Sequence, residues 1–166
     1  MQISKLSIEE LEKKIEFKEI TPYEIYQEYM KNIEEKNDEL GVYLFVNKFD
    51  NADEYNEKYR IPISVKDNIA VSGLPLTASS KILENYISPY NSTIAKNLEE
   101  AGIYVLGKTN MDELAFGFST HNSEILKTLN PLDKERISGG SSGGSAASVA
   151  ANLAPWSIGS DTRRIC

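Results

Sequence analysis

The sequence predicts an α/β fold with a mixed central sheet flanked by helices, and three observations carry that prediction. Helical and strand-like stretches alternate along the chain; a helix, a glycine and a buried-type apolar strand follow one another around Gly102; and 40% hydrophobic with 26% charged residues are ordinary globular statistics. With 166 residues, the chain is long enough for one domain that buries about 68–70% of its unfolded surface. No internal repeat or linker divides it.

The elements follow in order. Ser7-Ile8-Glu9-Glu10 is a capping box that opens a short helix, and Thr21-Pro22-Tyr23-Glu24 is a second one, with proline in the first turn. This second helix is expected to run to about Asn37, with Ile25, Tyr26, Tyr29 and Ile33 forming its apolar face. Residues 42–46 and 61–65 read as strands, the second ending at Lys66-Asp67-Asn68. Asn91-Ser92-Thr93 starts a helix through Ala101, which Gly102 stops before a strand over 103–106. A last helix is expected over 143–153, then a short strand at 156–158. Residues 1–40 thus form N-terminal helices and 41–166 the first part of an α/β core.

Composition excludes several functions. The net charge of −7 opposes a nucleic-acid groove, and no basic patch overrides it. The first residues lack an apolar signal core and no apolar run approaches a membrane span, so a cytoplasmic protein without membrane contact is expected. The single cysteine, Cys166, excludes an internal disulfide framework, and with His121 as the only histidine no metal site is expected. His121 itself reads as a polar loop residue.

Gly139-Gly140-Ser141-Ser142-Gly143-Gly144-Ser145 is the most chemically loaded stretch. Glycines let backbone approach a ligand, and the helix that follows directs N–H groups at whatever lies before it. Ala146-Ala147-Ser148-Val149-Ala150-Ala151 forms helix readily, which disfavours a free Gly/Ser linker. The spacing of Gly139 and Gly144 matches a phosphate loop, but Ser145 stands where that loop requires lysine. Lys66, closing an apolar strand, reads either as a surface lysine paired with its neighbour or as a base. A base near pH 7 needs its amine shifted down by about three units, roughly 4 kcal/mol, through burial and local dipoles.

These segments carry a resemblance. Pro62-Ile63-Ser64-Val65-Lys66-Asp67-Asn68, Gly107-Lys108-Thr109-Asn110-Met111-Asp112-Glu113, Asn130-Pro131, the Gly139–Ser145 loop with Ala146-Ala147, and Gly159-Ser160-Asp161-Thr162 resemble the amidase signature family, in the family's order. The segment around Thr109-Asn110-Met111-Asp112-Glu113, with Ser119-Thr120 and Asn122-Ser123, is most similar to the branch of glutamyl-tRNA(Gln) amidotransferase A subunits. The resemblance implies the N-terminal part of a longer, here truncated, amidase-signature fold. It also implies a Ser–cis-Ser–Lys triad hydrolysing the glutamine side-chain amide. Lys66 takes the base position and Ser141 the bridging position after a cis peptide; Ser142, Asp161 and Thr162 fall at substrate-binding positions. No cofactor is implied for this chain. ATP and Mg belong to a partner in the complex, the B and C subunits are the expected partners, and tRNA is reached through the complex.

The chain departs from the family where the nucleophile belongs. Counting from Asp161-Thr162, two glycines fall on Arg163 and Arg164, and the nucleophilic serine falls on Ile165. Isoleucine has no nucleophilic atom, and losing such a serine lowers the rate by on the order of 10⁶, about 8 kcal/mol. Inactivity is therefore expected. One adenine inserted before codons for Gly-Gly-Ser-Val-Arg would produce Arg-Arg-Ile-Cys-stop, so a frameshifted, non-functional gene product is the alternative to an intact amidotransferase component, alongside a generic amidase of the family. Smaller departures are a shorter stretch between Phe49 and Ile61, Ser138 for a common proline, and Glu124-Ile125-Leu126-Lys127 in place of an Ala-Phe-Gly-Pro-like run.

Overall fold

The computed structural model describes residues 2–161. Its elements are α1 (Ile8–Glu16), α2 (Pro22–Leu40), β1 (Tyr43–Val46), α3 (Ala52–Lys58), β2 (Ile63–Lys66), α4 (Thr93–Glu100), β3 (Val105–Thr109), α5 (Gly143–Ala150) and β4 (Ser157–Ile158), with three short 3₁₀ turns. The strands form one sheet in the order β1-β3-β2-β4. β1 runs antiparallel to β3, whereas β2 is parallel to both β3 and β4, so the sheet is mixed as expected. No helix of the described residues is long and apolar enough to cross a membrane.

Both capping boxes form. Ser7 Oγ accepts from Glu10 N–H and Thr21 Oγ1 from Glu24 N–H, while each glutamate accepts from the cap's own N–H. α2 runs three residues past the expected end. Asn37 stays helical and turns its side chain to the chain leaving the helix: Oδ1 accepts from Val42 and Tyr43 N–H, and Gly41 makes the left-handed stop at φ +62°. α3 has no counterpart among the elements expected from the sequence. It is a short polar helix started by Asn51, whose Oδ1 accepts from Glu54 N–H, and it carries one buried side chain, Tyr55.

Two boundaries shift toward polar residues. β3 begins at Val105, because the Ile103 N–H bonds Leu98 O and closes the end of α4. It then continues through Lys108 and Thr109, both fully buried. Gly107 permits this extension: a Cβ there would strike Phe45 O of the neighbouring strand. α5 stops at Ala150, where Asn152 turns left-handed at φ +57° and α2 supplies the missing partners. Lys36 Nζ donates to Ala151 O at 3.0 Å, and Asn32 Nδ2 to Asn152 O at 2.9 Å.

The core lies on both faces of the sheet. α4 packs Leu98 against Ile63, Val65, Ile69 and Val105 on one face. On the other, α1, α2 and α5 bury Leu11, Ile25, Tyr29, Ile33, Leu106, Ala147 and Leu153. Six rings from α2, α3 and the adjoining loops, Tyr23, Tyr26, Phe49, Tyr55, Tyr59 and Tyr104, interlock there with centroid separations of 4.9–5.7 Å.

Candidate active site

Strand alternation sends successive side chains of β2 to opposite faces. Ile63 and Val65 enter the α4 core, leaving Ser64 and Lys66 on the face covered by α5. α5 meets them with a line of hydroxyls. Ser148 Oγ lies 3.0 Å from Ser64 Oγ, and Ser145 Oγ lies 2.8 Å from Thr109 Oγ1 on β3. Ser141, the residue before the N-cap of the helix, comes within 2.7 Å of Lys66 Nζ. A spacing of three residues places Ser145 and Ser148 on one face of α5, and the non-helical turn leading into the helix, with Ser142 at its N-cap, carries Ser141 to the amine.

The loop before α5 is held from outside. The Gly140–Ser141 peptide is cis and Gly139 has φ +82°. Ser141 O accepts from Asp112 N–H at 3.2 Å, and the buried Asp112 carboxylate accepts from Ser119 N–H at 3.2 Å and Asn122 N–H at 3.3 Å. Thr120 Oγ1 accepts from Gly143 N–H at 2.9 Å and donates to Gly139 O at 2.7 Å. The Gly144 N–H is taken by Asn110 O at 3.1 Å. Two of the N–H groups opening α5 are therefore spent on protein, which weakens the phosphate-loop reading.

Lys66 is fully buried. Its Nζ donates to Ser141 Oγ at 2.7 Å, Ser160 Oγ at 2.9 Å and Ser160 O at 3.2 Å. Burial pushes the amine below its ordinary range, and the carboxylates of Asp112 and Asp161 act against that shift. An amine so placed can take a hydroxyl proton once neutral. The turn behind it is braced by a second buried lysine: Lys108 Nζ is 3.3 Å from Asp67 Oδ1 and donates to Pro75 O at 2.9 Å, while Asp67 Oδ2 accepts from Thr77 N–H at 2.9 Å. Burial lowers the Lys108 amine too, with Asp67 opposing.

The other expected site residues are placed as follows. Ser142 is the N-cap of α5, its carbonyl accepting from Ala146 N–H, but its side chain makes no capping bond: Oγ donates to Ser160 O at 3.0 Å and accepts from Ser160 N–H at 3.2 Å. Asp161 is exposed and reaches Lys66 through its charge. Thr162, Arg163, Arg164 and Ile165 lie outside the described residues. His121 is exposed, its N–H donating to Ser119 Oγ. Ser160 and Asn68 received no role from sequence reasoning, yet Asn68 Nδ2 donates to Ser160 Oγ at 3.0 Å and every polar atom of Ser160 is engaged. The signal was their place beside residues already singled out, at strand ends that parallel pairing brings together.

Comparison with known proteins bears on the family and the fold. The family model described as Amidase matches residues 24–163. The glutamyl-tRNA(Gln) amidotransferase A-subunit of Persephonella marina is 41% identical over 98% of this chain, and that of Carboxydothermus hydrogenoformans 43% over 98%; in each the match covers 36% of the relative. Among solved structures, the corresponding amidotransferase protein from Thermotoga maritima superposes with a TM-score of 0.80 at 37% identity, over 93% of this chain and 33% of that one. A peptide amidase from Stenotrophomonas maltophilia gives 0.81 at 27% identity, over 90% and 35%. The chain thus spans about a third of the length of the relatives it matches. Its sequence and its fold agree on one assignment: this chain belongs to the amidase family.

Proposed function

We propose that the site is the base-and-bridge half of an amide-hydrolysing centre, Lys66 being the base and Ser141 the bridging serine. The observation that carries this reading is the 2.7 Å contact from a buried, down-shifted amine to Ser141 Oγ. In an intact centre, a serine at the position of Ile165 attacks the side-chain carbonyl of glutamine, and its proton passes through Ser141 to Lys66. The same proton then returns to the departing nitrogen, ammonia leaves, and water resolves the acyl-enzyme. Ser142 and Asp161 lie beside that chemistry and, with Thr162 next in the chain, would position substrate. Similarity to amidotransferase A subunits supports glutamine as the amide and the conversion of Glu-tRNA(Gln) to Gln-tRNA(Gln) as the use of the ammonia. The B and C subunits would be its partners, with tRNA contacted through the complex and ATP and Mg held by one of those partners.

The chain itself, with Ile165 in place of the nucleophile, is proposed to be inactive on glutamine. Glutaminase activity of the 166-residue chain, measured alone and with the B and C subunits of a relative, should stay at background. Turnover that Lys66→Ala abolishes would show that another group replaces the missing serine.

A further inference from the structure

Ser160 is the most heavily constrained residue of the site. Its carbonyl accepts from Lys66 Nζ and Ser142 Oγ, its N–H donates to Ser142 Oγ, and its hydroxyl accepts from Lys66 Nζ and Asn68 Nδ2. Two of the three positions on the Lys66 amine therefore belong to one residue, and the third faces Ser141 Oγ at the shortest distance, 2.7 Å. A carbonyl oxygen can only accept, so one amine N–H must stay on Ser160 O whatever the charge state. An amide N–H₂ can only donate, so Asn68 occupies one lone pair of the Ser160 hydroxyl and fixes its place beside the amine. With one N–H held on Ser160 O, the lone pair of the neutral amine is left to the two hydroxyls, of which Ser141 Oγ is the nearer, 2.7 Å against 2.9 Å.

We propose that Ser160, held by Asn68 and Ser142, is a positioning residue that aims the Lys66 amine at Ser141, and that Ser141 is consequently acylated by activated acyl and phosphonyl donors in this chain. The inference rests on the reading of Lys66 as the base. Ser141 Oγ forms the new bond to the carbonyl carbon or phosphorus while its proton moves to Lys66 Nζ. An aryl ester expels its phenolate, which takes that proton back; a fluorophosphonate expels fluoride and the proton passes to solvent. Ser141 is half-buried, so a small donor has access to it. Ile165 does not enter the step.

The test is an alkyl fluorophosphonate incubated with the full chain, the adduct being followed by intact mass and located by peptide mapping. A single adduct on Ser141 is expected. Lys66→Ala should slow it by about 10²-fold or more, Ser160→Ala by on the order of 10- to 100-fold, and Ser160→Thr, which keeps the hydroxyl, should restore most of the rate. If Ser160→Ala does not fold by circular dichroism, Asn68→Ala takes its place, with a slower rate expected. Labelling of Ser160 in place of Ser141, no adduct on the folded wild-type chain, or a wild-type rate in folded Ser160→Ala or Asn68→Ala would overturn the proposal. A wild-type rate in Lys66→Ala would remove the base reading with it, whereas an effect of Lys66→Ala without one of Ser160→Ala removes only the positioning role.

Discussion

Gly140 and Gly144 occupy positions that leave no room for a side chain. A Cβ on Gly140 would strike Asp112 Oδ2 and come within 2.6 Å of Ser119 N, and one on Gly144 would lie 2.6 Å from Asn110 N and closer still to Asn110 O. Gly144 is the sharper case, because it sits inside α5, where alanine is the better helix former by about 1 kcal/mol. The obstructing atoms are backbone of the strand end after β3 and cannot rotate away. Gly144→Ala is therefore expected to destabilise by about 1–3 kcal/mol, against its propensity, as a lower midpoint in urea. An unchanged or raised midpoint would mean that α5 can ride away from β3 freely. The base role of Lys66 and the choice of Ser141 came only with the family resemblance, whereas the loop glycines and the apolar strand ending at Lys66 were legible in the residues themselves. Ser160 and Asn68 were not: their roles exist only once β2 and β4 are paired, and a serine or asparagine in isolation carries no such signal.

Among the elements, the helices with capping boxes were legible and α3 was not. Ser7 and Thr21 announce their helices through a local exchange of hydrogen bonds between cap and glutamate, which needs no tertiary partner. α3 instead has a polar surface and depends on one residue, Tyr55, inserted among five other rings. That ring carries a flaw. Tyr55 Oη is buried with no hydrogen-bond partner among the described residues, whereas Tyr43 Oη, equally buried, donates to Leu153 O at 3.0 Å. An unmatched buried hydroxyl costs about 1–3 kcal/mol, whereas a matched one contributes about 1 kcal/mol. The same substitution should thus have opposite signs at the two positions. Tyr55→Phe is expected to raise stability by about 1 kcal/mol and Tyr43→Phe to lower it by about as much, both read from chemical denaturation. Equal losses at both sites would refute the distinction. The displaced ends of β3 and α5, like α3, depend on tertiary contacts: buried Lys108 and Thr109 in the strand and the carbonyls capped by Asn32 and Lys36 after the helix take their partners from distant elements.

Over the whole molecule, the opposing contributions of buried titratable groups set an alkaline limit on the fold. Burial raises the phenols of Tyr26, Tyr29, Tyr43, Tyr55 and Tyr104, that of Tyr29 to about 12, and lowers the amines of Lys66 and Lys108. A phenol raised above its unfolded value, about 10, contributes stability that is complete below that pH and lost as pH climbs toward the folded value. A lowered amine works oppositely: the fold gains stability as pH rises from its folded value to its unfolded one, about 10.4, and nothing beyond. Two amines thus favour the fold up to about pH 10, after which five phenols act alone, each at up to about 1.4 kcal/mol per pH unit. Against a total stability of about 5–15 kcal/mol, that slope exhausts the fold within about one to two units. Stability should therefore hold or rise slightly toward pH 10 and then collapse cooperatively, with the share of tyrosinate absorbance at 295 nm that belongs to these five rings appearing together with the loss of far-ultraviolet circular dichroism. Ionisation of these five tyrosines with the dichroism intact would show that water reaches the ring cluster without unfolding, and that the packing of α2 and α3 against the sheet is looser than its ring separations imply.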